Sequence, residues 1–258
     1  MASSNNKRGT QNKKPGSQGQ AVTLAIDIGG TGLKATLLDS AGTILADRVR
    51  VDTPYPATPE GVVDLLVELV KPLPSYDRVS IGFPGVVRDG RIVTAPHFGN
   101  EVWGKFPFAQ RLSARLGKPA RLLNDADVQG FGAVRGKGLE LVLTLGTGLG
   151  SALFRDGELM PHMEFAQYPV RGKKTFNQYV GNAVLKKIGP KKWNRRVEKV
   201  IDAFRTLFNF DVLYLGGGNA KKVTLDLPKD VKIVSNEMGL TGGIRLWDAP
   251  ARGSRAKR

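Results

Sequence analysis

The feature that most constrains the fold is a buried strand that ends in a glycine-rich turn, because this unit occurs twice at a long interval. Residues 22–32 and 141–150 both have this form, and each is followed by another short strand, at 34–38 and 151–154. Strands of this kind need helices to cover their apolar faces, so we expect two α/β lobes with a cleft between them.

Strand and helix patterns alternate along the rest of the chain. Thr58 can cap a helix whose first turn contains Pro59. Further strands are predicted at 43–51, 78–83, 121–123 and 211–215, and further helices at 106–116, 128–135, 176–188, 191–208 and 236–247. The predicted division is an N-terminal lobe at 21–122 and a C-terminal lobe at 123–248, with the closing helix 236–247 packing back on the first lobe.

The formal net charge of +16 is concentrated in three places. Residues 1–20 and 249–258 each carry four basic residues and no acid, and we expect both to be disordered tails. Residues 171–199 carry ten basic residues and one acid, a net charge of +9. Such a block predicts a polyanionic partner, whether nucleic acid, an anionic membrane or a phosphate polymer. A solvated helix face is the alternative.

Several classes of protein are excluded by composition. The chain has no cysteine, so disulfides, thiolate metal sites, iron–sulfur clusters and a cysteine nucleophile are absent. It has no apolar run of about 18 residues, so no helix is expected to span a membrane. No apolar segment follows the N-terminal charges, so we expect no secretory signal and a cytoplasmic location.

The glycine turns are candidates for binding phosphate, because glycine lets backbone N–H groups approach an anion closely. The first turn also carries Asp27 in an apolar strand, where a carboxylate is costly to bury unless it meets a cation or hydrogen-bond donors. A magnesium ion bound through water would satisfy it. No Gly-Lys-Ser or Gly-Lys-Thr follows, so the turn is not a P-loop, and no helix follows directly as in a dinucleotide site. A single such turn would be an ordinary hairpin, but a third at 216–218 favours phosphate binding.

Five motifs occur in the order seen in ROK-family sugar kinases, which the chain resembles over about residues 22–247. These motifs lie at 27–34, 82–85, 124–126, 145–150 and 215–218. The resemblance implies the two-lobed fold of the actin/hexokinase-like ATPases, with ribonuclease H-like halves and an interlobe cleft. Within the family the chain looks most like the polyphosphate glucokinases. It lacks the cysteine-rich zinc motif, and the short region before the third turn carries the basic block.

The resemblance also implies a role for each motif. Asp125 looks like the base that accepts the proton of the sugar hydroxyl, and Asn124 would hold a neighbouring hydroxyl. Asp27 and the first turn would position Mg²⁺ and the transferred phosphoryl group. The implied phosphate-binding residues are Gly29, Gly30, Thr31, Gly32, Lys34, Gly146, Thr147 and Gly148. Gly216, Gly217 and Gly218 would lie near the adenosine of a nucleotide. The implied polyphosphate-binding residues are Lys173, Lys174, Lys187, Lys191 and Arg195.

The chain departs from the family pattern in the sugar motif. The family has Glu-Leu-Gly-His, whereas this chain has Glu164-Phe165-Ala166-Gln167. Glu164 matches the family glutamate, and Gln167, which can donate and accept hydrogen bonds, stands in place of the histidine. We expect His162 to be a packing or surface residue, although it is close enough to Glu164 to compensate. Asn177 is aligned with a further acid of the family.

The function implied by the resemblance is transfer of a phosphoryl group from polyphosphate, ATP or both to the 6-hydroxyl of glucose or a similar hexose. Mg²⁺ is the implied cofactor, a homodimer the expected assembly, and neither a membrane nor a specific nucleic acid an expected partner. The alternative is a catalytically weak sugar sensor or polyanion-binding protein. Only about 20 residues precede the first strand, too few for the helix-turn-helix of the family's repressors.

Overall fold

The computed structural model of the chain describes residues 21–235 and 238–248. The two basic tails predicted at 1–20 and 249–258 lie outside the described residues. The strands are β1 Thr23–Ile28, β2 Leu33–Leu38, β3 Val49–Val51, β4 Arg78–Phe83, β5 Val87–Arg88, β6 Arg91–Ile92, β7 Ala120–Asn124, β8 Leu139–Leu145, β9 Leu149–Arg155, β10 Glu158–Leu159, β11 Pro169–Arg171, β12 Lys174–Thr175, β13 Val212–Gly216 and β14 Val231–Ile233.

The helices cover the two sheets that these strands form. They are α1 Pro59–Val70, α2 Asn100–Trp103, α3 Phe108–Leu116, α4 Asp125–Ala133, α5 Phe176–Val180, α6 Asn182–Phe208 and α7 Met238–Thr241, with short 3₁₀ helices at Ala220–Lys222 and Gly242–Trp247. Within the described residues, no helix is both long and apolar enough to cross a membrane.

The two five-stranded sheets have the same topology. The first sheet has the strand order β3-β2-β1-β4-β7, and the second has the order β10-β9-β8-β13-β14. In each, the first three strands in chain order form an antiparallel ladder, and two later strands add in parallel on the other side of the first one. The repeat that the glycine turns predicted is therefore confirmed as two equivalent α/β halves.

Each sheet has its own apolar core. The first core joins strands β1, β2 and β4 to helices α1 and α3, and includes the fully buried Phe83 and Trp103. The second joins β8 and β13 to α5 and α6, and includes the buried Trp193 and Phe204. Burial of these large side chains supplies the main driving force for folding in each half.

Helix α4 lies between the two halves and contacts strands of both sheets. Asn124 caps it, because the Asn124 side chain accepts a hydrogen bond from the Ala126 N–H at 2.8 Å. On the side of the second sheet, a Cβ atom added at Gly130 would lie 2.4 Å from the ring of Phe154, so only glycine allows this close approach. The helix thereby fixes its first residue, Asp125, at the junction of the halves.

The C-terminal segment returns to the first sheet. Leu240 packs with Ala25 and Leu38, and the ring of Trp247 lies beneath the guanidinium groups of Arg78 and Arg121, at 5.2 and 4.5 Å from their Cζ atoms. The indole Nε1 also donates a hydrogen bond to Ser80 Oγ at 2.9 Å. Of the predicted closing helix 236–247, residues 236–237 lie outside the described residues, and the rest is a turn of α-helix followed by a 3₁₀ helix.

Three predicted elements need correction. The strand predicted at 43–51 is limited to Val49–Val51; Ile44 forms only an isolated bridge with Leu38, and the Ala46 carbonyl accepts a hydrogen bond from the Thr36 hydroxyl at 2.7 Å. Helix α4 begins at 125, not 128, since the Asn124 cap starts it earlier. The helix predicted at 176–188 is interrupted at Gly181, which packs against the Thr147 carbonyl. The predicted separation near 189 is confirmed by the positive φ of Gly189.

Candidate active site

A cleft of about 340 Å³ lies between the two sheets, at the ends of the strands that carry the glycine turns. Residues from both halves line it. The predicted site residues on its wall are Asp27, Gly29, Gly30, Thr31, Lys34, Asn124, Asp125, Gly146, Thr147, Gly148, Glu164, Gln167, Gly217 and Gly218. One crevice thus collects residues that are up to 191 positions apart in the sequence, from 27 to 218.

The first turn is tied down by the segment after β3. Its backbone closes through a 3.0 Å hydrogen bond from the Gly29 N–H to the Gly32 carbonyl. The hydroxyls of Thr53 and Tyr55 donate to the carbonyls of Gly29 and Gly30, at 2.6 and 2.7 Å. Gly32 does not line the cleft; a Cβ atom there would lie 2.9 Å from Arg50 Nε, so this glycine makes room for the neighbouring strand.

The second turn is held by the junction of α5 and α6. The Asn182 N–H donates to the carbonyls of Gly146 and Thr147, at 3.1 and 3.2 Å. The Asn177 side chain accepts a hydrogen bond from the Leu149 N–H at 2.7 Å, and Asn177 also lines the cleft. The start of the long helix α6 is therefore attached directly to this turn.

The third turn packs against the second. Gly217 has a φ of +82°, and a Cβ atom there would lie 2.6 Å from the Leu145 carbonyl oxygen, so glycine is required on both counts. Gly216 lies under the amide of Gln129 and is not part of the cleft wall, whereas Gly217 and Gly218 are.

Asp125 occupies the first position of α4 at the base of the cleft. Its carboxylate accepts a hydrogen bond from the Ala126 N–H at 2.9 Å. The pKa of Asp125 is raised to about 7, mainly by burial and also by the nearby carboxylates of Asp27, Asp127 and Glu164, against the opposing effect of that N–H. A carboxyl group with this pKa exchanges a proton readily near neutral pH, which suits a general base.

The remaining predicted sugar-side residues surround Asp125. Asn124 is 4% exposed, and its amide donates to the Gly85 carbonyl at 3.1 Å while its oxygen caps α4. One amide hydrogen of Asn124 is therefore already used. Glu164 and Gln167 are exposed on the cleft wall, and Glu164 Oε1 accepts a hydrogen bond from the Ala166 N–H at 3.1 Å.

The expectation that His162 is a packing or surface residue misses its buried hydrogen bond with Asp127 and its place on the cleft wall. His162 Nδ1 lies 3.0 Å from Asp127 Oδ1, and the two side chains are 8% and 3% exposed. The pKa of His162 is raised: burial lowers it, but the bond to Asp127 and the charges of Asp127, Glu164 and Asp125 outweigh that effect. Other cleft residues that the sequence did not single out include Arg48, Gln129 and Thr144.

The basic block lies outside the cleft. Its predicted polyphosphate-binding side chains are all exposed, on the β11–β12 hairpin and on α6. They are Lys173, Lys174, Lys187, Lys191 and Arg195. The break at Gly189 separates Lys187 from the helical segment that carries Lys191 and Arg195, so of these three only Lys191 and Arg195, four residues apart, share one regular helical face.

Comparison with known proteins identifies the family to which this two-sheet fold and its cleft belong. Residues 23–163 match the ROK family, and the chain belongs to that family. The resemblance drawn from the five motifs is thus confirmed, together with the α/β fold of the actin/hexokinase-like sugar kinases.

The similar proteins in these comparisons include several sugar kinases. The chain is 32% identical to a polyphosphate glucokinase of Mycobacterium tuberculosis over 223 residues, which cover 83% of this chain and 84% of the relative. The crystal structure of an inorganic polyphosphate/ATP-glucomannokinase from Arthrobacter sp. strain KM superposes with a TM-score of 0.80 at 30% identity, covering 88% of this chain and 98% of the other. A ROK family glucokinase from Streptomyces griseus, in complex with glucose and AMPPNP, shares the fold with a TM-score of 0.73 at 21% identity, covering 87% and 98% of the two chains.

Proposed function

We propose that this protein is a sugar kinase that transfers a phosphoryl group from polyphosphate or ATP to the 6-hydroxyl of glucose or a similar hexose. The observation that carries the proposal is the position of Asp125. A carboxyl group with a pKa of about 7 stands in one cleft with glycine turns from both halves. The names of the relatives support the same reaction and both donors.

On the sugar side, Asp125 is the base. It orients the attacking hydroxyl and takes its proton as the bond to phosphorus forms. Glu164 and Gln167 face the same space and supply hydrogen-bond partners for the other hydroxyls, with Asn124 contributing its second amide hydrogen. The proposed lobes, 21–122 and 123–248, would close over the sugar and exclude water, which prevents hydrolysis of the donor.

On the donor side, the turns at 29–32 and 146–148 would hold phosphate groups through backbone N–H groups, and Lys34 would neutralise part of their charge. Gly217 and Gly218 would lie near the adenosine when the donor is ATP. Phosphoryl transfer depends mainly on such positioning and charge neutralisation, so the backbone of two turns and a few charged side chains are sufficient.

The residues present fit a magnesium ion of the kind kinases use. Asp27 offers a partly exposed carboxylate on the cleft wall, and among the described residues no group of three or more acidic or histidine side chains forms a dedicated metal cage. Mg²⁺ is commonly held by one or two carboxylates, water and substrate phosphates. Asp27 and the phosphates of a bound polyphosphate, together with water, would provide these oxygen ligands. When bound, the ion would offset the negative charge of the phosphoryl oxygens.

Polyphosphate is the donor that the basic block favours. Helix α6 begins at the turn that would grip the donor, because Asn182 bonds to Gly146 and Thr147. The exposed side chains of Lys187, Lys191 and Arg195 lie along this helix, outside the cleft lining. A long anion leaving the cleft at this turn would meet this basic surface.

The test is a coupled assay with purified protein. Glucose, mannose and N-acetylmannosamine are each offered with polyphosphate, ATP and GTP in the presence of Mg²⁺. We expect turnover of glucose, with polyphosphate accepted. No turnover of any sugar with any donor would contradict the kinase function. Glucose binding by calorimetry without turnover would support the alternative, a sugar sensor, which the replacement of the family histidine by Gln167 favours.

A further inference from the structure

Two buried side-chain nitrogens have no hydrogen-bond partner within the described part of the chain, Nε2 of Gln129 and Nε2 of His162. Both residues line the cleft. A buried polar atom without a partner destabilises the fold, so such atoms are rare unless a ligand or water completes them. The His162 nitrogen is the more informative, because it lies on the sugar side, two residues before Glu164.

The ring of His162 is held in one orientation. Its Nδ1 lies 3.0 Å from Asp127 Oδ1, and Asp127 is 3% exposed on the helix that also carries Asp125. A carboxylate partner keeps the proton on Nδ1. Nε2 is therefore left to accept a hydrogen bond when the ring is neutral and to donate one when the ring is charged. A sugar hydroxyl can satisfy either state, since it both donates and accepts.

We propose that His162 is a sugar-specificity residue: its Nε2 hydrogen-bonds a hydroxyl of the hexose that lies between Asp125 and Glu164, and Asp127 is the positioning residue that fixes the ring. The inference rests on the proposed kinase function and deepens it. It also gives a physical reason why the site tolerates Gln167 at the family's histidine position, because an imidazole reaches the sugar from a different point of the same segment.

Two substitutions separate this role from a purely structural one. In His162→Asn the amide can replace Nδ1 beside Asp127 but leaves the Nε2 position empty. In His162→Gln the amide can reach the Nε2 position but gives up the bond to Asp127. We expect His162→Asn to lower kcat/KM for glucose by about 10-fold to 100-fold, mainly through KM, as for loss of a hydrogen bond to a partly charged group. We expect His162→Gln to retain more activity.

A series of deoxyglucoses identifies the hydroxyl. The deoxyglucose that lacks the contacted hydroxyl should have a lower kcat/KM than glucose with the wild-type protein. With this analogue, and with no other in the series, His162→Asn should cause no further loss of kcat/KM. Three results would each overturn the inference. The first is an equal kcat/KM for glucose in the wild-type protein and His162→Asn, and the second is a greater loss of kcat/KM in His162→Gln than in His162→Asn. The third is the same loss on His162→Asn substitution with every deoxyglucose.

A negative result for His162 can be distinguished from a failure of the proposed kinase function. If the wild-type protein phosphorylates glucose and His162→Asn is unchanged, the kinase function stands and the role of His162 falls. If the wild-type protein has no turnover, glucose affinity measured by calorimetry takes the place of kcat/KM, with the same order expected among the variants. A wild-type protein that neither phosphorylates nor binds any sugar of the panel overturns both proposals.

Discussion

The ammonium group of Lys34 lies 3.1 Å from the carboxylate of Asp27, and the two residues are direct partners across the antiparallel strands β1 and β2. Both side chains are about a quarter to a third exposed, at 26% for Asp27 and 31% for Lys34. The pair places a positive and a negative charge on the same wall of the cleft. Lys34 therefore offsets part of the charge of Asp27, and we propose that it also binds a phosphate of the donor.

Replacing Lys34 by Met should raise the KM of the phosphoryl donor by about 10-fold to 100-fold, the range for losing a hydrogen bond to a charged group. It should also raise the pKa of Asp125, because the charge of Asp27 acts on Asp125 with less compensation. Steady-state kinetics over a pH series measure both effects. Lys71→Met is the control, since Lys71 pairs with Glu68 on the exposed face of α1 and should leave both values unchanged.

Replacing Asp125 by Asn should lower kcat by about 10²-fold to 10⁴-fold, as is typical for loss of a general base. The Asn side chain keeps the size of the carboxyl group, so glucose affinity should change far less than turnover. Single-turnover assays and calorimetric titration with glucose measure the two quantities. Turnover close to that of the wild-type protein would contradict the role of Asp125 as the base.

The activity should depend on the ionisation of Asp125. Since the base must be deprotonated, kcat/KM should rise with pH and level off above about 7, the pKa of this carboxyl group. A rate that is already maximal at pH 5 would contradict this assignment.

The same carboxyl group should lower stability at high pH. Its folded-state pKa of about 7 lies above the ordinary value of 3.8, so the folded protein holds the proton more tightly than the unfolded chain. The resulting penalty is absent below about pH 4, grows between pH 4 and 7, and is complete above 7. Asp125→Asn should therefore be more stable than the wild-type protein at pH 8, and the difference in melting temperature should vanish near pH 4.

Reversing two charges on α6 should affect one donor selectively. In Lys191→Glu with Arg195→Glu, the KM for polyphosphate should rise at least about 10-fold and its salt dependence should become shallower, as expected when contacts to a polyanion are lost. The KM for ATP should change little, because both side chains lie outside the cleft. The double variant Lys71→Glu with Lys105→Glu makes the same change in net charge on exposed lysines of the other half and should leave polyphosphate use intact.

Replacing Gly242 by Ala should destabilise the protein. The added Cβ atom would lie 2.0 Å from the Val128 carbonyl oxygen and 2.7 Å from the Gly132 nitrogen, so the C-terminal segment would be pushed away from α4. We expect a loss of about 1–3 kcal/mol, as for other overpacked contacts. Gly218→Ala is the matched control, because nothing lies within 4 Å of the added atom. Thermal and urea unfolding distinguish the two.

Local patterns were sufficient to predict most of the elements and the glycine turns. The strands at 78–83 and 211–215, the cap at Thr58 and the glycine turns are set by residues close together in the sequence, and the structure confirms them. The pair of Asp127 and His162 could not be predicted in this way, because its members are 35 positions apart and meet only when the segment after β10 folds over α4. The one local signal that Asp127 needs a partner is its position as a second acid of α4, next to the apolar residues Ala126 and Val128.

The chain passes from the first sheet to the second through α4 and comes back along it through residues 240–247, where Trp247 is clamped by Arg78 and Arg121. The two halves are therefore joined along one edge by two neighbouring segments, α4 and residues 240–247. If the two halves move, we expect rotation about that edge rather than sliding or separation, because sliding or separation would require Trp247 to leave Arg78 and Arg121. In the proposed kinase, such a rotation would open and close the cleft from an edge where Trp247 lies outside the cleft lining.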